Sequence, residues 1–410
     1  MTGALGSMLL SRRHERVGET TEVVRRDTPV TVKNGQPEGH RNIAVCSMEA
    51  WDDIWRRNQF LVQELLRADP VLRVLFVEPA VDVPYEVAQR RWPGRAGLRK
   101  VTTDGRLWAL HPRKFLPRLL APGLAERHLA HAVRAAMSEL RLSQPLLWVN
   151  DTSYATLADQ VDWPVVYDVT DDWLLAGGEG RALARLRQED ARLVNRADEI
   201  VVVSASLLAS RGATRPVHII GCAVDVQHLR TPRPRPADLP LGPTAVYVGT
   251  QHDERLDVQL CIDTARAIAP ARLVFVGPNC LKPESVRRLL HSGCALLGPR
   301  PYTGIPGYYQ HADMVVVPHS VNAFTESLDP IKGYECVAVG RPTLTTPVAG
   351  MRDLGPPVEV SAAAEFPARA RQILAGEHPS RPGQPPTWAD RADAFAAVLE
   401  GARRKRAGAI

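Results

Sequence analysis

The sequence predicts an α/β protein of two domains, each a parallel sheet with helices on both faces. Short apolar runs rich in Val, Ile and Leu recur along the chain and alternate with longer amphipathic stretches. Strands that are continuously apolar belong to sheets covered on both sides. The alternation breaks once, at the Pro-rich stretch Leu229–Pro240, and then restarts. A length of 410 residues fits two domains.

Residues 1–40 are polar, charged and without periodicity, which reads as a disordered leader. The first domain, 41–228, opens at the apolar run 42–47. Further strand patterns follow at 73–78, 107–110, 146–150, 165–168, 200–204 and 217–220, with helical patterns at 55–68, 125–140 and 181–196. The linker, 229–241, is stiffened by its prolines. The second domain, 242–380, carries strand patterns at 245–249, 272–277, 294–298, 314–318, 342–346 and 358–361. Residues 387–401 form a last amphipathic helix, expected to pack back on the first domain. Two such Rossmann-like domains face each other across a cleft, and ligands bind there, outside the carboxyl ends of the strands.

Composition narrows the function classes. A hydrophobic content of 45% and a charged content of 23% describe an ordinary globular protein. The net charge of +6 favours anionic substrates or lipid head groups and is too small to argue for nucleic acid. No apolar run reaches the roughly 20 residues needed to span a bilayer, and no signal peptide is recognisable. The six scattered cysteines form no Cys-x-x-Cys pair, as expected of reduced thiols in a cytoplasmic protein. Arg113–Leu120 mixes basic and apolar residues, a pattern suited either to peripheral membrane contact or to a buried loop–helix junction.

The most informative stretch is Ser327–Thr343. Asp329 suits an N-cap, Pro330 the first helical position and Gly340 the residue past the end. Lys332 then falls in the first turn, where the helix dipole disfavours a cation, and Glu335 lies on the same face. Lysine before glutamate is the weaker order for a helix pair. An anion docked at this N-terminus would explain the lysine, and a diol one turn deeper the glutamate. Phosphate followed by ribose describes a nucleotide; a solvated ion pair on an ordinary helix is the plainer alternative. Only six lysines occur among 51 basic residues, which sets Lys332 apart.

Other strand ends supply further candidates. Gly249 and Thr250 follow the first strand of the second domain, where a backbone turn can approach a pyrophosphate, although neither a Gly-x-Gly-x-x-Gly fingerprint nor a P-loop is present. Arg255 is read as lying early in the next helix, binding phosphate or pairing with Glu254 or Asp257. Gly298–Tyr302 ends the third strand and offers an edge for a base. In the first domain Asp168, Asp171 and Asp172 follow a buried strand, an expensive arrangement unless the carboxylates are solvated or used. They read as a general base, as binders of acceptor hydroxyls, as a divalent-metal cluster, or in part as a cap of the next helix. Asn150 and Asp151 end the neighbouring strand and join the same wall.

The second domain resembles the donor half of a GT-B glycosyltransferase of the "glycosyl transferases group 1" type. The resemblance rests on Tyr247–Gly249, Phe275–Gly277, Leu297-Gly298, Ala312–Pro318 and Ser327–Thr343, and covers residues 245–350 well and the first domain loosely. It implies a UDP-, GDP- or dTDP-sugar donor as co-substrate, with no other cofactor and no bound metal. Glu335 would bind the ribose hydroxyls, Lys332 and Arg255 the diphosphate, and the Gly298–Tyr302 turn the base. A hydroxyl acceptor would sit against the first domain, with Asp171 or Asp172 as base if transfer inverts. Three departures stand out. Ser327 occupies a position where many retaining members carry a second glutamate, with Glu326 adjacent. Thr250 stands where a basic residue is often found. The Val169–Asp171 region replaces a common histidine. A GT-B-shaped nucleotide-sugar 2-epimerase and a non-catalytic nucleotide-sugar-binding protein compete with the transferase.

Overall fold

The computed structural model describes residues 41–408 apart from 89, 91–95, 116–121, 177–179, 213–214 and 377–380. The expected leader 1–40 lies outside the described residues, as does much of Arg113–Leu120.

The first domain carries strands β1 (Arg41–Cys46), β2 (Leu72–Val77), β3 (Val81–Asp82), β4 (Gly97–Lys100), β5 (Leu107–His111), β6 (Arg113–Lys114), β7 (Leu146–Val149), β8 (Val165–Val169), β9 (Glu199–Val202) and β10 (His218–Ile219). Eight of them form one sheet in the order β10-β9-β8-β7-β1-β2-β5-β4. Every pairing in it is parallel except β4 with β5. The period-two geometry of a strand explains its apolar continuity. Ala44 and Cys46 enter the core on one face of the sheet, and Ile43 and Val45 enter the core on the other. β4 and the short pair β3–β6 escape the sequence reading because two to four residues carry too little pattern.

The second domain carries β11 (Thr244–Val248), β12 (Arg272–Val276), β13 (Ala295–Gly298), β14 (Met314–Val317), β15 (Thr343–Thr345) and β16 (Val358–Val360). They form an all-parallel sheet in the order β13-β12-β11-β14-β15-β16, again buried on both faces. The order reverses at β11, so the crevice between the ends of β11 and β14 is this sheet's natural ligand position.

The helix Trp388–Gly408 lies on the first sheet, not the second. Trp388 stacks on Phe60 with ring centroids 4.8 Å apart, and Phe395 packs on Trp148 at 4.4 Å. Each buried aromatic contributes about 1.5–3 kcal/mol of transfer free energy. The Pro-rich connection is tied to the second domain, where Gln310 Nε2 donates to the carbonyls of Leu229 and Thr231, each at 2.8 Å. Tyr302 and Ser327 join the two domains directly. The Tyr302 N–H donates to the Asp53 carbonyl at 2.8 Å, and the Ser204 hydroxyl donates to the Ser327 carbonyl at 2.7 Å.

Candidate active site in the interdomain cleft

A cavity of about 750 Å³ lies between the domains, walled by the ends of β1, β7 and β8 on one side and of β11, β12 and β14 on the other. The helix Ile331–Val339 points its N-terminus into it. The helix starts one residue later than the sequence reading places it. Pro330 is its N-cap, and the Asp329 carboxylate instead accepts the Cys222 N–H and the Tyr334 hydroxyl. Gly340 ends it in the left-handed conformation at φ 76°, where a Cβ is unfavourable.

Lys332 and Glu335 both reach the cavity. The Lys332 ammonium lies 5.2 Å from the centre of the Tyr247 ring, a cation–π contact. Gly249 makes room for it. At φ +135° this residue suits only glycine, and a Cβ there would come within 3.1 Å of the ammonium. Glu335 accepts the Tyr309 hydroxyl at 2.8 Å. Burial raises its pKa, which Tyr309 and Lys332 partly restore. Thr250 joins the same wall.

Arg255 does not lie in a helix. It sits in the turn before Val258–Ala267, whose N-cap is Asp257. Its guanidinium crosses the cleft to Asp171 Oδ1 at 3.4 Å and lies over the rings of Phe324, at 5.2 Å, and Trp173, at 5.8 Å. Neither Glu254 nor Asp257 is the partner. Asp171 lines the cavity, with its pKa raised by burial and pulled back by Arg255 and Lys332.

Several expected site residues are used inside the protein. Asp168 is fully buried, paired with Arg57 and accepting the Trp148 indole N–H at 3.0 Å, so it presents nothing to an acceptor. Asp172 is clamped by both Arg211 terminal nitrogens, at 3.0 and 3.2 Å, and its own N–H donates to the Ser327 hydroxyl. Neither Asp171 nor Asp172 caps the next helix, which begins at Gly180. Among the described residues no group of three His, Cys, Asp or Glu side chains is arranged to hold a metal ion, so these carboxylates do not form a metal cluster. Ser327 is buried, its hydroxyl donating to the Phe324 carbonyl at 2.7 Å, and Glu326 pairs with Arg352.

Asn150 reaches the cavity with its amide fully engaged, donating to the Asp168 carbonyl and Thr170 and accepting from Met48 N–H and Asn58. Asp151 caps the turn Thr152–Tyr154 through the Ser153 N–H at 2.8 Å. Gly298 lies behind the cavity, its carbonyl accepting the Gly277 N–H. The Tyr302 ring does border the cavity, yet it packs against Trp55 at 5.9 Å, Phe60 at 5.2 Å and His228 at 4.1 Å, fastening the domains together.

The sequence reading brings the strand ends carrying His252 and His319 to the crevice without giving either histidine a role, and it passes over Glu49. His252 and His319 flank the cation pair, and both are held neutral. Burial comes first, then Arg255 and Lys332, lowering His252 to about 4 and His319 well below the ordinary value. Glu49 lies just after β1 and borders the cavity. Its position at a strand's carboxyl end was the available signal, the same one that singles out Gly249.

Residues 242–375 match the Glycosyl transferases group 1 family model. A Bacillus subtilis (strain 168) protein named as a teichuronic acid biosynthesis glycosyltransferase, TuaH, is 22% identical over 220 residues; the match spans 49% of this chain and 55% of that protein. Two solved structures share the whole fold. Anabaena HepE in complex with UDP-glucose is 14% identical, with a TM-score of 0.58 over 90% of this chain and 99% of that one. Sucrose-phosphate synthase from Thermosynechococcus elongatus is 17% identical, with a TM-score of 0.57 over 88% and 96%. The second domain is therefore a glycosyl transferases group 1 domain, set in a chain with the GT-B fold.

Proposed function

We propose that this protein transfers a sugar from a nucleoside-diphosphate-sugar donor to an acceptor hydroxyl. The observation that carries the reading is the placement of Lys332 and Glu335 on one helix, both facing the cleft beside Gly249. A diphosphate in this position meets the Lys332 ammonium, the Arg255 guanidinium and the positive end of the helix. The same charges stabilise the diphosphate as it leaves, when its negative charge is greatest. Glu335, oriented by Tyr309, accepts from the ribose hydroxyls. Protein cations supply the charge a metal would otherwise bring, so EDTA is expected to leave turnover unchanged.

UDP is the first nucleotide to test, because the HepE structure contains UDP-glucose. Isothermal titration with UDP, GDP and dTDP, followed by assay of released nucleotide with and without acceptor, tests the reading. Binding of one nucleotide and release that depends on an acceptor are expected. Failure to bind any of the three would overturn it, and release without acceptor together with a 2-epimerised sugar would favour the epimerase.

A further inference from the structure

The cavity does not end at the residues assigned to the nucleotide. It continues into the first domain, where Pro84, Leu174, Ala182, Leu183 and Leu186 line it. The helix Gly180–Arg196 explains why apolar side chains face this space. Leu186 and Leu193 lie two turns apart and share a helix face. Leu193 is fully buried in the core, whereas Leu186, nearer the N-terminus, meets the cavity. The apolar stripe of the helix thus runs out past the end of the core. Leu174, Leu183 and Leu186 are half-buried, and none of them belongs to an apolar cluster of the described residues.

Charged and polar groups border the same lobe, but they are spent on one another. The Lys114 ammonium pairs with Asp82 at 2.7 Å. Asp190 accepts the Tyr167 hydroxyl at 2.7 Å and faces Arg211 at 3.2 Å, and Arg211 also clamps Asp172. Glu189 accepts the Thr152 hydroxyl at 3.0 Å and lies 3.5 Å from Arg185. Asp151 holds the Ser153 N–H. A sugar chain needs donors and acceptors that are open to it, since a buried hydroxyl without a partner is costly. The surface left open to a ligand here is chiefly apolar.

Three of the segments that wall the lobe also carry large apolar side chains to the surface. Val87, one turn after Pro84 in the helix Val83–Ala88, is 60% exposed. Phe115, next to Lys114, is 56% exposed, and Leu175, next to Leu174, is 46% exposed. Exposed apolar side chains that continue an apolar cavity mark a path for a ligand longer than the cavity.

We propose that the acceptor is an amphiphile, a hydroxylated head carried on an alkyl or isoprenoid chain, and that the chain occupies this lobe. The assignment rests on the glycosyl-transfer reading above. The head lies at the junction of the two domains, and the chain passes Leu183 and Leu186 toward the surface. Each methylene that leaves water on binding raises affinity by up to about fourfold.

The test titrates methyl, hexyl and octyl β-glucoside, each below its micellar concentration, into the full chain saturated with whichever of UDP, GDP and dTDP it binds. Isothermal titration is expected to show saturable binding that tightens with chain length, by about tenfold or more from methyl to octyl. Leu183→Ser combined with Leu186→Ser is expected to cut that gain to about threefold or less, while Leu183→Met retains it. Nucleotide affinity, measured on each variant, reports whether the fold is intact. Equal affinity along the series, no saturable binding of octyl β-glucoside, or tighter binding of cellotriose than of octyl β-glucoside would each overturn the assignment. So would a chain-length gain that survives the serine substitutions, because the chain would then lie elsewhere. Failure to bind any of the three nucleotides would instead remove the transfer reading itself, and this inference with it.

Discussion

Arg255 and Asp171 meet across the cleft at 3.4 Å, one from each domain. Under the proposed function, one of the two cations that would receive the donor diphosphate is thus engaged by a carboxylate of the opposite domain. A diphosphate and Asp171 compete for the same guanidinium. Partly exposed pairs of this kind are worth about 0.2–1 kcal/mol, so Asp171→Asn is expected to tighten UDP binding by up to about fivefold. Isothermal titration checks this; unchanged or weaker binding would show that Asp171 does not compete.

Lys332→Ala and Glu335→Ala are each expected to weaken nucleotide binding by about tenfold or more, corresponding to about 1.4 kcal/mol. The losses should differ in kind. Removing Lys332 steepens the preference against added charge, so UDP suffers more than uridine. Removing Glu335 weakens both equally. Normal affinity in both variants would leave the helix with a structural role only.

His252 should titrate unusually. Burial, Arg255 and Lys332 hold its pKa at about 4, so NMR is expected to show a neutral ring throughout the range in which an exposed histidine charges. The unfolded chain binds this proton at about 6.5 and the folded protein does not. The stability contribution is therefore complete above about 6.5 and is lost as pH falls toward 4. Bound diphosphate places negative charge beside the ring and should raise the value. A midpoint near 6.5 without ligand would contradict this electrostatic picture.

Asp168 should matter for folding rather than chemistry. Removing one member of a buried pair leaves the other charge uncompensated, so Asp168→Ala is expected to cost about 3–5 kcal/mol. Denaturant unfolding measures this. Nucleotide affinity of the remaining folded protein should stay near wild type, and a specific loss of affinity at normal stability would return Asp168 to the site.

The two domains, their strand series and the Lys332–Glu335 helix were legible because each is a local pattern. A strand buried on both faces must be apolar throughout, and a helix end announces itself through proline and glycine. The three aspartates after β8 show where local reasoning stops. Their shared sequence position suggests a shared role, yet Asp168 meets Arg57, Asp172 meets Arg211 and only Asp171 faces the cavity. These partners lie 111 and 39 positions away in the chain, and no spacing rule reports them.

Glu49 makes the same point from the other side. Its place just past a strand end is all that the sequence marks; the turn that carries it to the cavity is held by Ser47 together with Asn58 and Asn150, which only folding brings there. Sequence by itself determined the architecture, the cleft and the helix that carries Lys332 and Glu335 into it, since periodicity and capping act over a few residues. Tertiary structure alone decided which carboxylates are consumed by buried cations and which remain available. That choice depends on desolvation and pairing between distant segments, and those terms exist only once the chain has closed around them.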